Sequence, residues 1–493
     1  MSGDSRFIIT VDIGTTTIRT CLYDQNCSLR FYKEKPVSLI YETNDDKLYV
    51  EMDPDVLFSD FKELVCESIS NLPNINQLAG MGICCQRNTI ISWDKLTLKP
   101  FHRFLTWKDC RAIDECRSWN ESLRIKLLNV AGRIAYFFTR SERYKAAGFY
   151  KFLNAMVPIK FLTTLKSDVD MQQALDENRL QLATLDAWLI SRLTLGRCCF
   201  TEPSNASSTG LFDPFLFDWG YTILKFIGFP LKVLPELRYS GGQELCRVDK
   251  SIFGVEIPLL SLLADSQAAA FGSACTQENM FKFSIGTGTF VNLYSDKPYS
   301  GLNANDTATA IKWALSLSLC DQIEETSSFT NKDAQQGLCF VPAFGGVQTP
   351  CEDNNACAGF LGLRPNTTKR QMMFAVIESV SFKIRQIWDA FADQQLCPSQ
   401  PIIRLCGGVS KNDFICQQIS NLIGHPVERV VEPEFCSAKG TALLAGVTAG
   451  LWSLDDCSKS TQIDRRFEPK ANEELTSRYN LWLKANSRCL EFY

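Results

Sequence analysis

A strand–turn–strand pattern that occurs twice constrains this chain more than any other feature. Phe7-Ile8-Ile9-Thr10-Val11 reads as a strand, is broken at Asp12-Ile13-Gly14-Thr15-Thr16-Thr17, and resumes as Ile18-Arg19-Thr20-Cys21-Leu22-Tyr23. A second copy runs Phe281-Lys282-Phe283-Ser284-Ile285, then Gly286-Thr287-Gly288, then Thr289-Phe290-Val291-Asn292-Leu293-Tyr294. Gly14 and Gly286 lie a little over half the chain apart, so each hairpin opens one half. That spacing predicts an internal duplication of α/β units. Tyr239 to Pro258 mixes turn formers with short strand-like runs ahead of the apolar segment from Leu259 to Ala264, which places the boundary between residues 256 and 257. Helical periodicity over Ala268 to Ala274, Lys369 to Ala390 and Asn412 to Ile423 makes both halves α/β.

Composition narrows the function classes. The chain has 493 residues, 45% of them hydrophobic and 22% charged, which suits two or three globular domains rather than a disordered or fibrous protein. Lys and Arg number 51 against 55 Asp and Glu, a net charge of −4, so no overall basic surplus points to nucleic acid or to an anionic membrane. The 21 cysteines form no C-x-x-C pair, which argues against a zinc ribbon, and their odd number fits free thiols. The opening residues show no basic stretch followed by an apolar one, and no run approaches the ~18 apolar residues of a spanning helix. A soluble cytoplasmic protein is the expectation. Only two histidines exist, His102 and His425, and neither has a metal-ligand spacing or an adjacent nucleophile, which removes most histidine-based chemistry.

The first turn, D-I-G-T-T-T, offers a carboxylate, a glycine that lets the backbone come close to a ligand, and N–H groups that can form an anion cradle. A Walker loop would run into a helix, whereas this turn runs into a strand. Farther on, Leu405-Cys406-Gly407-Gly408-Val409-Ser410-Lys411-Asn412 sets two glycines between a strand at Pro401 to Arg404 and a helix beginning near Asn412. Any one of these turns could join elements and bind nothing. Three of them spread over both halves fit a polyphosphate nucleotide.

These residues carry a family resemblance. VDIGTTTIR, SIGTGTF and CGGVSKND are similar to the two phosphate motifs and the adenosine motif of the FGGY carbohydrate kinases, and the stretch from Met81 to Arg111, with Gln86-Arg87-Asn88-Thr89 and Trp107, resembles the glycerol kinases. ATLDAWLISRLTLG, TEPSNASSTGLFD, LADSQAAAFGSA and CFVPAFGGVQTP follow in the family's order, so the likeness covers about residue 7 to residue 452, with a divergent branch of the glycerol kinases nearest. The resemblance implies an α/β architecture of two actin-like ATPase (ribonuclease H-like) domains with an interdomain cleft. Residues 1–256 would form the N-terminal domain, with the first phosphate turn and the polyol site. Residues 257–493 would form the C-terminal domain, with the catalytic base, the second phosphate turn and the adenosine site. It further implies ATP and Mg²⁺ as cofactors. Asp12 would hold the metal's water shell, and Thr15, Thr16, Thr17, Arg19, Thr287, Ala308, Lys312, Gly408 and Asn412 would contact ATP. Arg87, Asn88, Trp107, Phe152, Asp265 and Ser266 would line the substrate site, with Asp265 as general base. Phosphoryl transfer needs positioning and charge neutralisation more than covalent chemistry, so a carboxylate, a metal and phosphate donors suffice without histidine.

The chain departs from the pattern at three substrate positions. Asn88 replaces a carboxylate acceptor, Ser266 replaces a glutamine, and Phe152 stands where the family has an aromatic hydroxyl. Ala308 and Lys312 stand where the family has a glycine and a glutamine near ATP. The first reading is ATP-dependent phosphorylation of glycerol to sn-glycerol 3-phosphate. The alternatives are a kinase for another small polyol or sugar and an ATP-binding regulatory protein with little catalysis. A homodimer stays open, and neither nucleic acid nor a membrane-spanning segment is expected.

Overall fold

The computed structural model describes residues 6–492 apart from 45–46, 287–288, 295–307, 345, 348–349, 352 and 354; the side chains of residues 308, 309, 312, 323 and 324 are also outside it. The chain divides into two compact units. The first comprises Met1–Ala268, Pro298–Ser300 and Ser437–Asp456, and the second Ala269–Lys297, Gly301–Cys436 and Cys457–Tyr493.

The first unit is built on a six-stranded sheet. Its strands are β1 (Phe7–Ile13), β2 (Thr17–Asp24), β3 (Leu29–Pro36), β4 (Leu78–Cys85), β5 (Cys246–Val248) and β6 (Ile257–Ala264), in the spatial order β5-β6-β4-β1-β2-β3. β1, β2 and β3 form an antiparallel meander, while β4 lies parallel to β1 and β6 parallel to β4. The three parallel strands are buried nearly throughout, as their continuous apolar runs FIITVDI, LAGMGICC and IPLLSLLA require. Helix α1 (Pro54–Ser70) lays Leu57, Phe61, Leu64 and Val65 on this sheet; Asp53 caps it by accepting from the N–H groups of Asp55 and Val56. The same unit holds a second, five-stranded sheet and helix α2 (Leu123–Thr139), whose Ile125 packs in a separate core with Ile90, Leu105 and Phe152. Helix α3 (Asp265–Gly272) begins where β6 ends.

The second unit repeats the theme. Strands β7 (Met280–Ile285), β8 (Thr289–Leu293), β9 (Ile402–Cys406), β10 (Val427–Val430) and β11 (Ile463–Phe467) lie in the order β8-β7-β9-β10-β11. The hairpin β7–β8 is antiparallel and β9 runs parallel to β7, as β4 does to β1. The predicted duplication is therefore present in the topology, since each unit sets a hairpin beside a parallel strand. Helix α4 (Lys369–Asp393), opened by the capping box of Thr368 and Gln371, and helix α5 (Asp413–Ile423) close the second core around Phe281, Phe283, Trp388 and Ile419. Helix α6 (Cys436–Thr448) returns, from Ser437 onward, to the first unit. A Cβ on Gly82 of β4 would come within 2.7 Å of the Thr441 side chain, so glycine is what lets α6 approach that strand.

The cut between 256 and 257 is corrected here. It would separate β6 from its partner β4, although Leu262, Leu263 and Ala264 pair with Ile83, Cys84 and Cys85. The first unit runs on to Ala268 and takes Asp265 with it. Turn-rich composition marked the entrance to β6, but parallel pairing decides which core a strand joins. None of the 21 cysteines is in a disulfide bond. Among the described residues no helix is long and apolar enough to cross a membrane.

Candidate active site

Three parallel strands of the first unit end side by side, and the sequence places a charged or polar residue at or just beyond each end. Ligands of open α/β sheets bind beyond the carboxyl ends of such strands. At β1 this is Asp12, opposite Cys84 of β4 and Arg19 of β2. β4 runs on into Gln86 and Arg87, with the Gln86 N–H donating to the Ile13 carbonyl at 2.8 Å. β6 leads directly into Asp265, the first residue of α3.

The electrostatics of this edge are unbalanced. Burial, reinforced by the charge of Asp265 and opposed by Arg19, pushes the Asp12 carboxyl up to about 6. The Cys84 thiol donates to Asp12 Oδ1 at 3.5 Å. Burial works against the Arg19 charge, but Asp12 and Glu34 overcome it, and its pKa is raised. Arg19 Nε donates to Glu34 at 2.7 Å, so this guanidinium serves two carboxylates at once. Arg87 differs from it. Burial lowers its pKa against the attraction of Asp265 and Glu202, and among the described residues it makes no hydrogen bond or ion pair. A guanidinium has five N–H donors, and leaving them unpaired in a desolvated place is costly unless a ligand takes them up.

The Gly-Thr turn is tied to the substrate side. The Gly14 N–H donates to the Thr17 carbonyl at 2.9 Å and closes the turn. The Trp107 indole N–H donates to the Thr15 hydroxyl at 3.0 Å, which donates to Gln86 Oε1 at 3.0 Å, and Gln86 Nε2 reaches the Gly14 carbonyl at 3.4 Å. Thr15 is 7% exposed and its hydroxyl is used inside this relay. The Thr16 carbonyl accepts from the Val37 N–H.

Asp265 accepts from the Ser266 N–H at 2.6 Å, and its carbonyl accepts from the Ser437 hydroxyl at 3.1 Å. Ser266 is buried, and the next residue, Gln267, has a buried side-chain oxygen without a hydrogen-bond partner among the described residues. Asn88 takes a left-handed backbone, φ 59°, which asparagine tolerates better than most residues, and its Oδ1 accepts from the Ser208 hydroxyl at 2.9 Å. Phe152 belongs instead to a hydrophobic core. It is 2% exposed, edge-on to Trp119 and Tyr150, and its backbone is held by Asn120.

The second unit holds the remaining expected residues. Gly407 has φ 90°, and a Cβ there would lie 2.5 Å from the Ile285 carbonyl, so a close approach to the end of β7 requires glycine. Above Gly408 a Cβ would meet nothing within 4 Å. Asn412 caps α5, accepting from Phe414 and Ile415 and donating to the Thr326 hydroxyl at 2.6 Å; its side chain is occupied by a structural task. Thr287 lies outside the described residues, as do the side chains of Ala308 and Lys312. A cavity of about 290 Å³ lies elsewhere in this unit, between Arg385, Asp389, Leu422 and Tyr479. Asp389 already accepts from Arg385 and Tyr479 there, and no expected site residue lines it.

Sequence reasoning missed two contributors. Glu202, fully buried, accepts from the N–H groups of Ser204 and Asn205 and from the hydroxyls of Ser204 and Ser240, yet burial still raises its pKa. Ser204 in turn accepts from the Ala264 N–H at 2.8 Å, next to Asp265. The Pro at position 203 after an acidic residue was a readable helix-start signal, but its electrostatic reach to Arg87 was not.

With this geometry in place, the comparisons with known proteins fall into one pattern. Residues 7–141 and 151–272 match the N-terminal domain of the FGGY family of carbohydrate kinases, and residues 281–449 its C-terminal domain. The chain is 35% identical to glycerol kinase 5 of Bos taurus over 100% of its own length and 98% of that protein's, and 29% identical to glycerol kinase of Natranaerobius thermophilus over 98% of each. Among solved structures, glycerol kinase of Plasmodium falciparum with ADP superposes with a TM-score of 0.79 at 23% identity, covering 99% of this chain and 98% of that one. Xylulose kinase of Lactobacillus acidophilus gives 0.71 at 19%, covering 98% of each. The activity class is that of an ATP-dependent sugar or polyol kinase, and the chain belongs to the FGGY family of carbohydrate kinases.

Proposed function

We propose that the protein transfers the γ-phosphoryl group of ATP to a terminal hydroxyl of glycerol, giving sn-glycerol 3-phosphate. The observation that carries this reading is Arg87, a guanidinium without a hydrogen bond or ion pair among the described residues and in electrostatic reach of Asp265. A polyol whose hydroxyls accept from Arg87 brings one hydroxyl to a carboxylate able to take its proton. Asp265 is the general base, held at the start of α3, where the helix N-terminus favours its ionised form. Trp107 covers the carbon chain, its indole N–H fixed on Thr15. Asn88 and Ser266 offer uncharged polar groups to the remaining hydroxyls.

Asp12 fits a divalent cation. A carboxylate with pKa about 6 beside a second carboxylate, with Arg19 shared with Glu34, leaves excess negative charge at the strand ends. A bound Mg²⁺ would supply charge neutralisation for the phosphates. The backbone N–H groups of Thr15, Thr16 and Thr17 are assigned to the phosphates, and Arg19 to the nucleotide side through its hold on Asp12. In the second unit Gly408, with open space above it, is assigned to adenosine. Thr287, Ala308, Lys312 and Asn412 keep their ATP assignment from the family resemblance alone. A cytoplasmic site of action accords with cysteines that form no disulfide.

A specific observation favours a second reading. Asn88 replaces a carboxylate and its Oδ1 is taken by Ser208, so a polyol or sugar other than glycerol fits the same machinery. The experiment is ADP release with Mg-ATP over a panel of polyols and sugars, beside Asp265→Asn. Glycerol-dependent turnover lost in the variant supports the proposal. Turnover with another acceptor selects the second reading, and ATP binding without turnover on any acceptor removes both.

A further inference from the structure

Helix α2 is apolar on two opposite faces, and only one of them is covered. Inward, Ile125 is 1% exposed and Gly132 is buried, where a Cβ would come 2.6 Å from the Gly148 nitrogen. Outward, Leu123, Leu127, Val130, Ile134, Phe137 and Phe138 are each at least half exposed, Phe138 by 77%. At 100° per residue these six positions fall within an arc of about 100°, a continuous stripe along the helix. Such a contiguous exposed patch on a soluble protein marks an interaction surface.

The charges beside the stripe identify what it meets. Lys126, Arg133 and Arg140 recur every seventh residue along one edge, and Arg124 stands on the other. α2 contains no acidic residue, and among the described residues none of these four cations has an ion pair. From Ser122 to Lys151 there are seven Lys and Arg and one acidic residue, Glu142, in a chain whose total charge is −4. The overall balance, which gave no reason to expect an anionic surface, averages this segment away. Arg133 donates to the Gly148 carbonyl at 3.1 Å and lies over the ring of Phe149, itself 70% exposed, so the stripe is extended by a further aromatic residue. Residues 142–150, which support α2 from beneath, fall between the two stretches that match the kinase N-terminal domain.

We infer that α2 is an in-plane membrane-docking helix whose apolar stripe enters the headgroup–acyl boundary of an anionic bilayer while Lys126, Arg133 and Arg140 lie on the headgroups. A helix of 17 residues, about 26 Å long, with Leu, Ile and Phe on one face and cations along its edge has the pattern of interfacial helices. A second copy of the chain fits less well. An antiparallel two-fold pairing sets the cation row against itself, and a parallel pairing sets it against Arg124, with no carboxylate on α2 to compensate. The cytoplasmic leaflet supplies the anionic lipid such a row needs.

The test is flotation of the full chain with vesicles of phosphatidylcholine and phosphatidylserine and with vesicles of phosphatidylcholine alone. Light scattering gives the oligomeric state, and kinase activity is read in vesicle-free buffer. The chain should float with the anionic vesicles and not with the neutral ones. Binding should fall by about tenfold or more both in Ile134→Gln/Phe138→Gln and in Lys126→Gln/Arg140→Gln. All four sites are exposed and outside the catalytic machinery, so melting temperature and vesicle-free activity should be unchanged. Absence of flotation on anionic vesicles overturns the inference, and so does equal flotation on both vesicle types. A dimer that Ile134→Gln/Phe138→Gln converts to monomer, without lipid binding, would identify the stripe as a contact between copies instead.

Discussion

Asp12 at the end of β1 and Asp265 at the end of β6 stand two strands apart at one sheet edge, and the charge of Asp265 adds to burial in lifting the Asp12 carboxyl to about 6. In the free protein this is a strain. The folded pKa lies above the unfolded value of 3.8, so the stability tied to Asp12 is fully present below pH 3.8 and is lost as pH rises through about 6. Asp12→Asn should stabilise the ligand-free chain at neutral pH by on the order of 2 kcal/mol, after allowance for partial exposure, while removing Mg-ATP-dependent turnover. Melting curves from pH 4 to pH 8 without nucleotide are the check; a melting temperature that falls at neutral pH contradicts the assignment.

The same group should shape the activity profile. Asp12 must be ionised to attract a cation, so kcat/KM at low Mg²⁺ should drop as pH falls below about 6. Raising Mg²⁺ should move that limb to lower pH, because cation binding competes with the proton. A limb that ignores Mg²⁺ would mean another group controls it.

Asp265→Asn keeps the shape of the residue and its place in α3 but cannot take a proton. General-base loss should lower kcat by about 10²–10⁴-fold with little change in ATP affinity. Single-turnover measurement with a fluorescent nucleotide separates the two quantities, and a variant with near-normal kcat would exclude Asp265 as the base.

Arg87→Met should trade binding for stability. Removing a desolvated cation that has no partner among the described residues should leave the melting temperature equal or higher, while the acceptor's KM should rise about 10–100-fold with the loss of charge-assisted hydrogen bonds. A sharp loss of folding would show that Arg87 is structural.

Asn88→Glu distinguishes the two substrate readings. The left-handed backbone makes glutamate there less stable by on the order of 1 kcal/mol, and the Ser208 hydroxyl can still donate to the new carboxylate. If glycerol is the acceptor, its KM should fall by about tenfold. If another polyol is used, glycerol kinetics should stay flat while that polyol's turnover changes.

The local parts of this protein are legible in its sequence. Alternation on either side of Gly14 and of Gly286 gave both hairpins, because strand periodicity and glycine turns are properties of adjacent residues. The helix over Lys369–Asp393 and the turn at Gly407 follow from the same kind of signal. Asp12, Arg87 and Asp265 stand in motifs that can be read in the chain even though Asn88 and Ser266 depart from them, and the family comparisons agree with the family those motifs resemble.

What the sequence could not determine depends on which distant segments meet. β6 joins β4 across some 170 residues of chain, so the boundary fell on the wrong side of it and Asp265 was assigned to the wrong unit. That Asn412 caps α5, accepting from two N–H groups, follows from its φ and ψ and from the helix that it begins. Phe152 was taken into a core by Trp119 and Tyr150. Glu202 and Ser204 gained their bearing on Arg87 and Asp265 only through packing, and the exposed face of α2 became visible only once its other face was covered. Patterning sets which residues can be buried, since it is written along the chain; which of them are buried, and beside what charge, is decided by long-range pairing, whose closure entropy and packing no local stretch of sequence contains.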